Sequence, residues 1–159
     1  MTFAFVFPGQ GSQSVGMMQA YDGLPAIRET FQEASDALGQ DLWALAEEGP
    51  AENLNQTVNT QPVMLAAGIA VFRAWRQLGG RMPALMAGHS FGEYSALVAS
   101  GALGFRDALP LVRYRAEAIQ DAGRKRAETW MAELREKAGL KPGWAPPDET
   151  NRKVEAEEG

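Results

Sequence analysis

The sequence has no cysteine and a single histidine, His89. The first absence excludes disulfides, thiolate nucleophiles and cysteine-ligated zinc, and the second excludes a histidine-rich metal site. A cysteine-free chain fits either redox compartment. Long apolar runs are missing too. The longest, PVMLAAGIAVF, stops at Arg73 and is too short to cross a bilayer, so no membrane partner is expected. The opening MTFAFVF lacks a basic segment before its short apolar run, which makes it a poor signal peptide and the cytoplasm the expected location. Lysine is absent from residues 1–122, where seven arginines stand against twelve acids; all four lysines fall in residues 123–159. Within that stretch, residues 123–141 sum to +3 (six basic, three acidic) and residues 142–159 to −3 (two basic, five acidic). The change marks a seam near Ala122–Gly123. The net charge of −5 argues against nucleic acid as a partner.

What is present suits a globular domain. The 159 residues are 45% apolar, enough for one real core. FAFVF (3–7), closed by Pro8, reads as a buried strand, and the glycine-rich PGQGSQSVG follows it. Ile27, Phe31, Ala34 and Leu38 recur at a helical period between Pro25, which suits a first turn, and Gly39, which suits a stop. DLWALAEEGP gives a short helix, and AENLNQTVNTQP is polar and turn-like. Thr60 is placed to cap a long helix running to about Leu78 and ended by Gly79–Gly80. PALMA (83–87) reads as a second strand, FGEYSALVAS as a helix ended by Gly101, and FRDALPLVRYRAEAIQDAG as a further helix that Pro110 restricts or kinks. Strands alternating with helices predict an α/β fold with a parallel sheet. Past the seam, Ala127, Trp130, Leu134 and Ala138 form one stripe of an amphipathic helix over 124–139, and the Pro-, Gly- and charge-rich stretch 140–159 is expected to be disordered.

Gly88-His89-Ser90-Phe91-Gly92 fits G-x-S-x-G, the nucleophile elbow, in which a sharp strand-to-helix turn exposes the serine and requires small neighbours. An ordinary turn with a helix-capping serine fits the same five residues. The strand before and the helix after favour a nucleophile at Ser90, with the helix directing free N–H groups at a developing oxyanion. His89 does not serve as its base, because adjacent side chains diverge on a sharp turn and a base needs hydrogen-bond reach.

FAFVFPGQGSQSVGM, LNQTVNTQP and GHSFGEYSALVASGAL, with DLWAL and ALPLVRYRAEAIQDA at matching order and spacing, resemble the malonyl-CoA:acyl carrier protein transacylase family over residues 1 to about 122. The resemblance implies ping-pong acyl transfer. The serine attacks the thioester of malonyl-CoA, forms an acyl-enzyme, and passes the acyl group to the phosphopantetheine thiol of acyl carrier protein. No resident cofactor is implied. Carried over by motif, Ser90 is the nucleophile, the backbone N–H groups of Gln10 and Phe91 form the oxyanion hole, and Arg115 holds the free malonyl carboxylate by two parallel bonds. Seen alone, Arg115 would pass for a solvated helix arginine. Arg113, two residues earlier, is expected at the surface.

Phe91 stands where the family usually has leucine, and Ala116 where it generally has glycine. The larger departure follows Ala122, where the resemblance ends while the family continues with its catalytic histidine, further strands and a ferredoxin-like subdomain. The implied fold is therefore a partial, truncated parallel-sheet acyltransferase core of α/β-hydrolase type (1–122), followed by an unrelated tail (123–159). Such a chain is expected to lack competence alone, and its open sheet to favour self-association. Two alternatives remain. One is a non-catalytic fragment or fusion acting through the C-terminal helix. The other, an α/β serine hydrolase, needs a histidine after the serine, and none follows Ser90.

Overall fold

The apolar run before Pro8 forms strand β1 (Ala4–Phe7), and the run before the elbow forms β2 (Leu85–Gly88), in a computed structural model that describes residues 2–21 and 23–137. The two strands pair in parallel, with Phe5 opposite Met86 and Phe7 opposite Gly88. Between them run α1 (Pro25–Leu38), α2 (Leu42–Glu47), α3 (Ala51–Leu54) and α4 (Thr57–Gln77); α5 (Gly92–Ala99) and α6 (Phe105–Lys137) follow β2. The α/β architecture with a partial parallel sheet is the one expected from the sequence.

Local chemistry sets most of these boundaries. Pro25 opens α1, and Gly39 closes it in the left-handed conformation at φ 62°. Asp41 Oδ1 accepts from the Ala44 amide at 2.9 Å and so caps α2. The stretch expected to be turn-like is instead α3 and the first turn of α4. Thr60 does not cap α4, because that helix starts three residues earlier, after Gln56. The buried Thr60 hydroxyl faces the carbonyls of Leu54 (2.6 Å) and Gln56 (3.0 Å), which satisfies its polarity inside the helix. Every residue from Thr60 to Ala67 is buried, so α4 is a central helix, apolar on nearly all sides.

The core gathers around α4. Phe31 and Leu65 are fully buried, each worth about 1.5–3 kcal/mol of transfer free energy. Arg73 of α4 reaches Glu33 of α1 at 2.7 Å, a half-exposed pair worth up to ~1 kcal/mol. Phe5 packs edge-on against Phe72 (5.9 Å between centroids) and at a tilt against Trp75 (5.7 Å), which places α4 over one face of the sheet. Side chains alternate along a strand. The opposite face therefore carries Val6, 74% exposed, and Leu85, 70% exposed. The buried strand expected over 3–7 is covered on one face only among the described residues.

The chain divides into two units after Gln120. In the second, Arg124 pairs with Asp121 (3.6 Å) and Glu128 (3.1 Å) along the exposed helix surface. α6 runs through Gly123 without a break, where the sequence suggested one helix ending and another starting at 124. A lone glycine costs a helix about 1 kcal/mol but does not end it unless it turns left-handed, and Gly123 is not among the positive-φ glycines. Pro110 sits in the second turn of α6 rather than at its start. Ala127 and Trp130 of the expected stripe are exposed. The Leu134 side chain, Ala138 and the tail over 140–159 lie outside the described residues. No described helix is long and apolar enough to cross a membrane.

Candidate active site

β1 and β2 end side by side, and both following loops leave from the same edge of the sheet. Beyond β2 the chain turns sharply into α5, and Ser90 at the apex has φ 57°, the one positive value at a described non-glycine residue. Such a conformation costs a side-chain-bearing residue ~1–2 kcal/mol and is typical of strained functional turns. The two glycines of the pentapeptide make the turn possible. A β-carbon on Gly92 would lie 2.6 Å from the Phe7 carbonyl oxygen and 2.7 Å from that of Pro8, and one on Gly88 would collide with the backbone of Gly92 and Glu93. The His89 amide donates to the Phe7 carbonyl at 3.1 Å, which extends the ladder into the elbow.

The loop after β1 is fixed by its own side chains. Ser12 Oγ donates to the Gly9 carbonyl (3.0 Å), and the Gly11 amide donates to Gln13 Oε1 (2.8 Å). Gln13 Nε2 reaches Asn55 Oδ1 at 2.8 Å, and Gln10 Nε2 reaches Thr57 Oγ1 at 3.2 Å. The Gln10 side chain is thus drawn towards the start of α4, and its backbone remains on the loop beside the elbow. Among the described residues, neither the Gln10 nor the Phe91 amide donates to a backbone carbonyl. Phe91 is 1% exposed, so its ring belongs to the interior and only its backbone is placed to face the turn.

Ser90 and Arg115, 25 positions apart, are in direct contact: Arg115 Nη2 donates to Ser90 Oγ at 2.9 Å. Arg115 Nη1 donates to Gln61 Oε1 at 2.7 Å. The guanidinium is therefore half-buried between an exposed serine and a buried glutamine, with no carboxylate in ion-pairing range among the described residues. Gln61 was not singled out from the sequence; the signal it offers is a polar residue immediately before Pro62, inside an otherwise apolar helix. Arg113 is not the surface residue expected. It is half-buried and donates through Nη2 to Gln40 Oε1, while its Nε is buried without a partner among the described residues. Gln40 Nε2 in turn donates to Asn59 Oδ1 (3.1 Å), and Asn59 Nδ2 to the Asn53 carbonyl (2.9 Å).

His89 is exposed, and its imidazole lies over Gly9, with Nδ1 2.5 Å from where a β-carbon would stand. It makes no hydrogen bond to Ser90. Among the described residues the serine hydroxyl has a cation as its bonded neighbour and no base.

The profile of the acyl transferase domain family matches residues 4–146. That match extends past Ala122, where the motif resemblance stops. The malonyl CoA-acyl carrier protein transacylase of Salmonella typhimurium is 60% identical over 121 residues, covering 76% of this chain and 39% of that protein. The acyl-carrier-protein S-malonyltransferase of Burkholderia pseudomallei superposes with a TM-score of 0.74 at 65% identity, over 76% of this chain and 39% of its own. A malonyl-transacylase solved in complex with a type II PKS acyl-carrier protein superposes with a TM-score of 0.74 at 53% identity, over 77% of this chain and 40% of its own. The chain thus spans about two fifths of the length of the relatives it matches.

Proposed function

Because the chain belongs to the acyl transferase domain family, we propose that it is the part of a malonyl-CoA:acyl carrier protein transacylase that carries the nucleophile, Ser90. The observation that carries the proposal is the 2.9 Å contact between Arg115 Nη2 and Ser90 Oγ, which sets a fixed cation beside a hydroxyl on a strained elbow. A malonyl group offers both things such a pair selects: a thioester carbonyl for attack and, one methylene away, a carboxylate for the guanidinium.

In the reaction, Ser90 Oγ forms a bond to the thioester carbon, the carbonyl oxygen becomes an oxyanion, and the C–S bond then breaks to release coenzyme A. The Gln10 and Phe91 amides, unused by backbone carbonyls of the described residues, are the donors this reading assigns to the oxyanion. The phosphopantetheine thiol of acyl carrier protein reverses the sequence and takes the malonyl group. The serine proton must go to a base. His89 faces Gly9 and makes no bond to Ser90, so the reading gives this chain slow acylation and negligible turnover. A cytoplasmic location belongs to the same reading.

The bare sheet supports a second part of the proposal, self-association. Each strand has one neighbour, so each leaves an open edge among the described residues. Val6 and Leu85 supply exposed apolar surface beside those edges.

Incubation of the purified chain with malonyl-CoA, read by intact mass, tests the nucleophile. Slow addition of one malonyl group, absent from Ser90→Ala, is expected. No addition at Ser90 overturns the assignment, and carrier-protein malonylation at ordinary enzymic rates overturns the lack of a base.

A further inference from the structure

Arg115 rests on two neutral side chains, Gln61 and Ser90. Gln61 Oε1 accepts from Nη1 at 2.7 Å, Gln61 itself is 2% exposed, and the other terminal nitrogen of the guanidinium is on Ser90. Arg73 is held differently, directly against the Glu33 carboxylate at 2.7 Å. We propose that Gln61 is a positioning residue that sets acyl-group selectivity by fixing Arg115 beside Ser90 while leaving its charge unspent. The proposal rests on the reading of Arg115 as the carboxylate-binding group.

Three features support it. Gln61 lies in the uninterrupted buried stretch of α4 and follows Thr60, whose hydroxyl is anchored on the Leu54 and Gln56 carbonyls, so its backbone is fixed. The amide has one usable orientation. Turned over, its NH₂ would face the guanidinium donor to donor, so the acceptor oxygen must point at Arg115. With Nη1 tied, the planar fork cannot rotate freely, and Nη2 stays on Ser90.

The neutrality of the holder matters as much as its geometry. A glutamate at the same position would accept the same bonds, but as a charge-assisted pair that is stronger and already neutralised. An incoming carboxylate would then meet a guanidinium with a like-charged competitor on it. A glutamine orients without competing. Selection between a malonyl and an acetyl group, which differ by that carboxylate, depends on the distinction.

The test uses the full chain as wild type, Gln61→Glu and Gln61→Met. Ser90 acylation by malonyl-CoA and by acetyl-CoA is followed in parallel by intact mass. Sodium malonate and sodium acetate are also titrated while the Arg115 Nε–Hε resonance, assigned with Arg115→Lys, is monitored. Expected for wild type are a malonyl preference of about tenfold or more and a malonate-specific shift of that resonance. Gln61→Glu should reduce the preference to about twofold or less with an unchanged melting temperature, and Gln61→Met should fall between, since it keeps the charge but loses the alignment. A Gln61→Glu protein that keeps the full malonyl preference overturns the role of Gln61 and leaves that of Arg115 standing. A wild-type chain with neither preference nor malonate response overturns both. One wild-type result decides against Gln61 whatever the variants do: Arg115 Nη protons that rotate and exchange with solvent as fast as those of an exposed arginine, since Nη1 is the atom Gln61 holds.

Discussion

Phe7 and Gly88 face each other on the last rung of the parallel ladder, and both segments leave the sheet there. That pairing brings two loops from distant parts of the chain to one place. The loop after Phe7 carries Gln10, and the turn after Gly88 carries Ser90. Parallel strands present their carboxyl ends together, which is why open α/β sheets bind ligands at that edge.

Arg115→Ala should slow Ser90 labelling by malonyl-CoA by roughly 10- to 100-fold and leave labelling by acetyl-CoA within about twofold, because only malonyl offers a second charge. Arg115→Lys should recover little of the loss, since an ammonium cannot bond Gln61 and a carboxylate through one planar fork. Equal losses for the two acyl groups would remove the carboxylate role.

Gly92→Ala forces a methyl group to within 2.6 Å of the Phe7 carbonyl oxygen. The backbone must shift, at an expected cost of about 1–3 kcal/mol, visible as a lowered urea midpoint. Ser90→Gly is the opposite case. It relieves the strain at φ 57° and should stabilise the chain by about 0.5–1 kcal/mol while abolishing acylation. A destabilised Ser90→Gly would mean that the elbow is not strained.

Thr60→Val removes a buried hydroxyl that faces two carbonyls, at 2.6 and 3.0 Å. A loss of about 1–2 kcal/mol in chemical denaturation is expected, with Thr60→Ser closer to wild type. If Val costs nothing, those carbonyls are satisfied in another way.

Val6→Lys and Leu85→Glu place charges on the bare sheet face without touching the covered one. Both should reduce self-association in light scattering and leave the melting temperature of the dilute protein unchanged. A wild-type chain that is a monodisperse monomer, with strongly protected amides across 4–7 and 85–88, would show that two strands suffice.

The sequence carried those parts of the fold whose causes are local. Pro25 and Gly39 bracket α1 because each acts on its own φ and on its neighbours. The pentapeptide around Ser90 is legible for the same reason: its two glycines answer to a turn a few residues long. Gln61 and Arg113 were missed or misplaced because their partners are distant in the chain, 54 residues away at Arg115 and 73 away at Gln40. Thr60 misled in a different way. A threonine in a polar run reads as a cap, and nothing local reveals that its hydroxyl is spent on the carbonyls of the preceding turn. The strands looked buried since an apolar tetrapeptide has the same composition whether one face or two are covered.

The run of contacts from Arg113 through Gln40 and Asn59 to the Asn53 carbonyl has a consequence for how the site answers to its solvent. It fixes α6, and with it the Arg115 backbone, against the loop after α1 and the beginning of α4. Its three acceptors are amide oxygens, which neither titrate nor form ion pairs. Added salt therefore has little to screen in the assembly of the site, although it does screen the approach of an anion to Arg115. Ionic strength should weaken encounter with a charged thioester and leave the shape that receives it unaltered, a separation that a site held together by ion pairs could not offer.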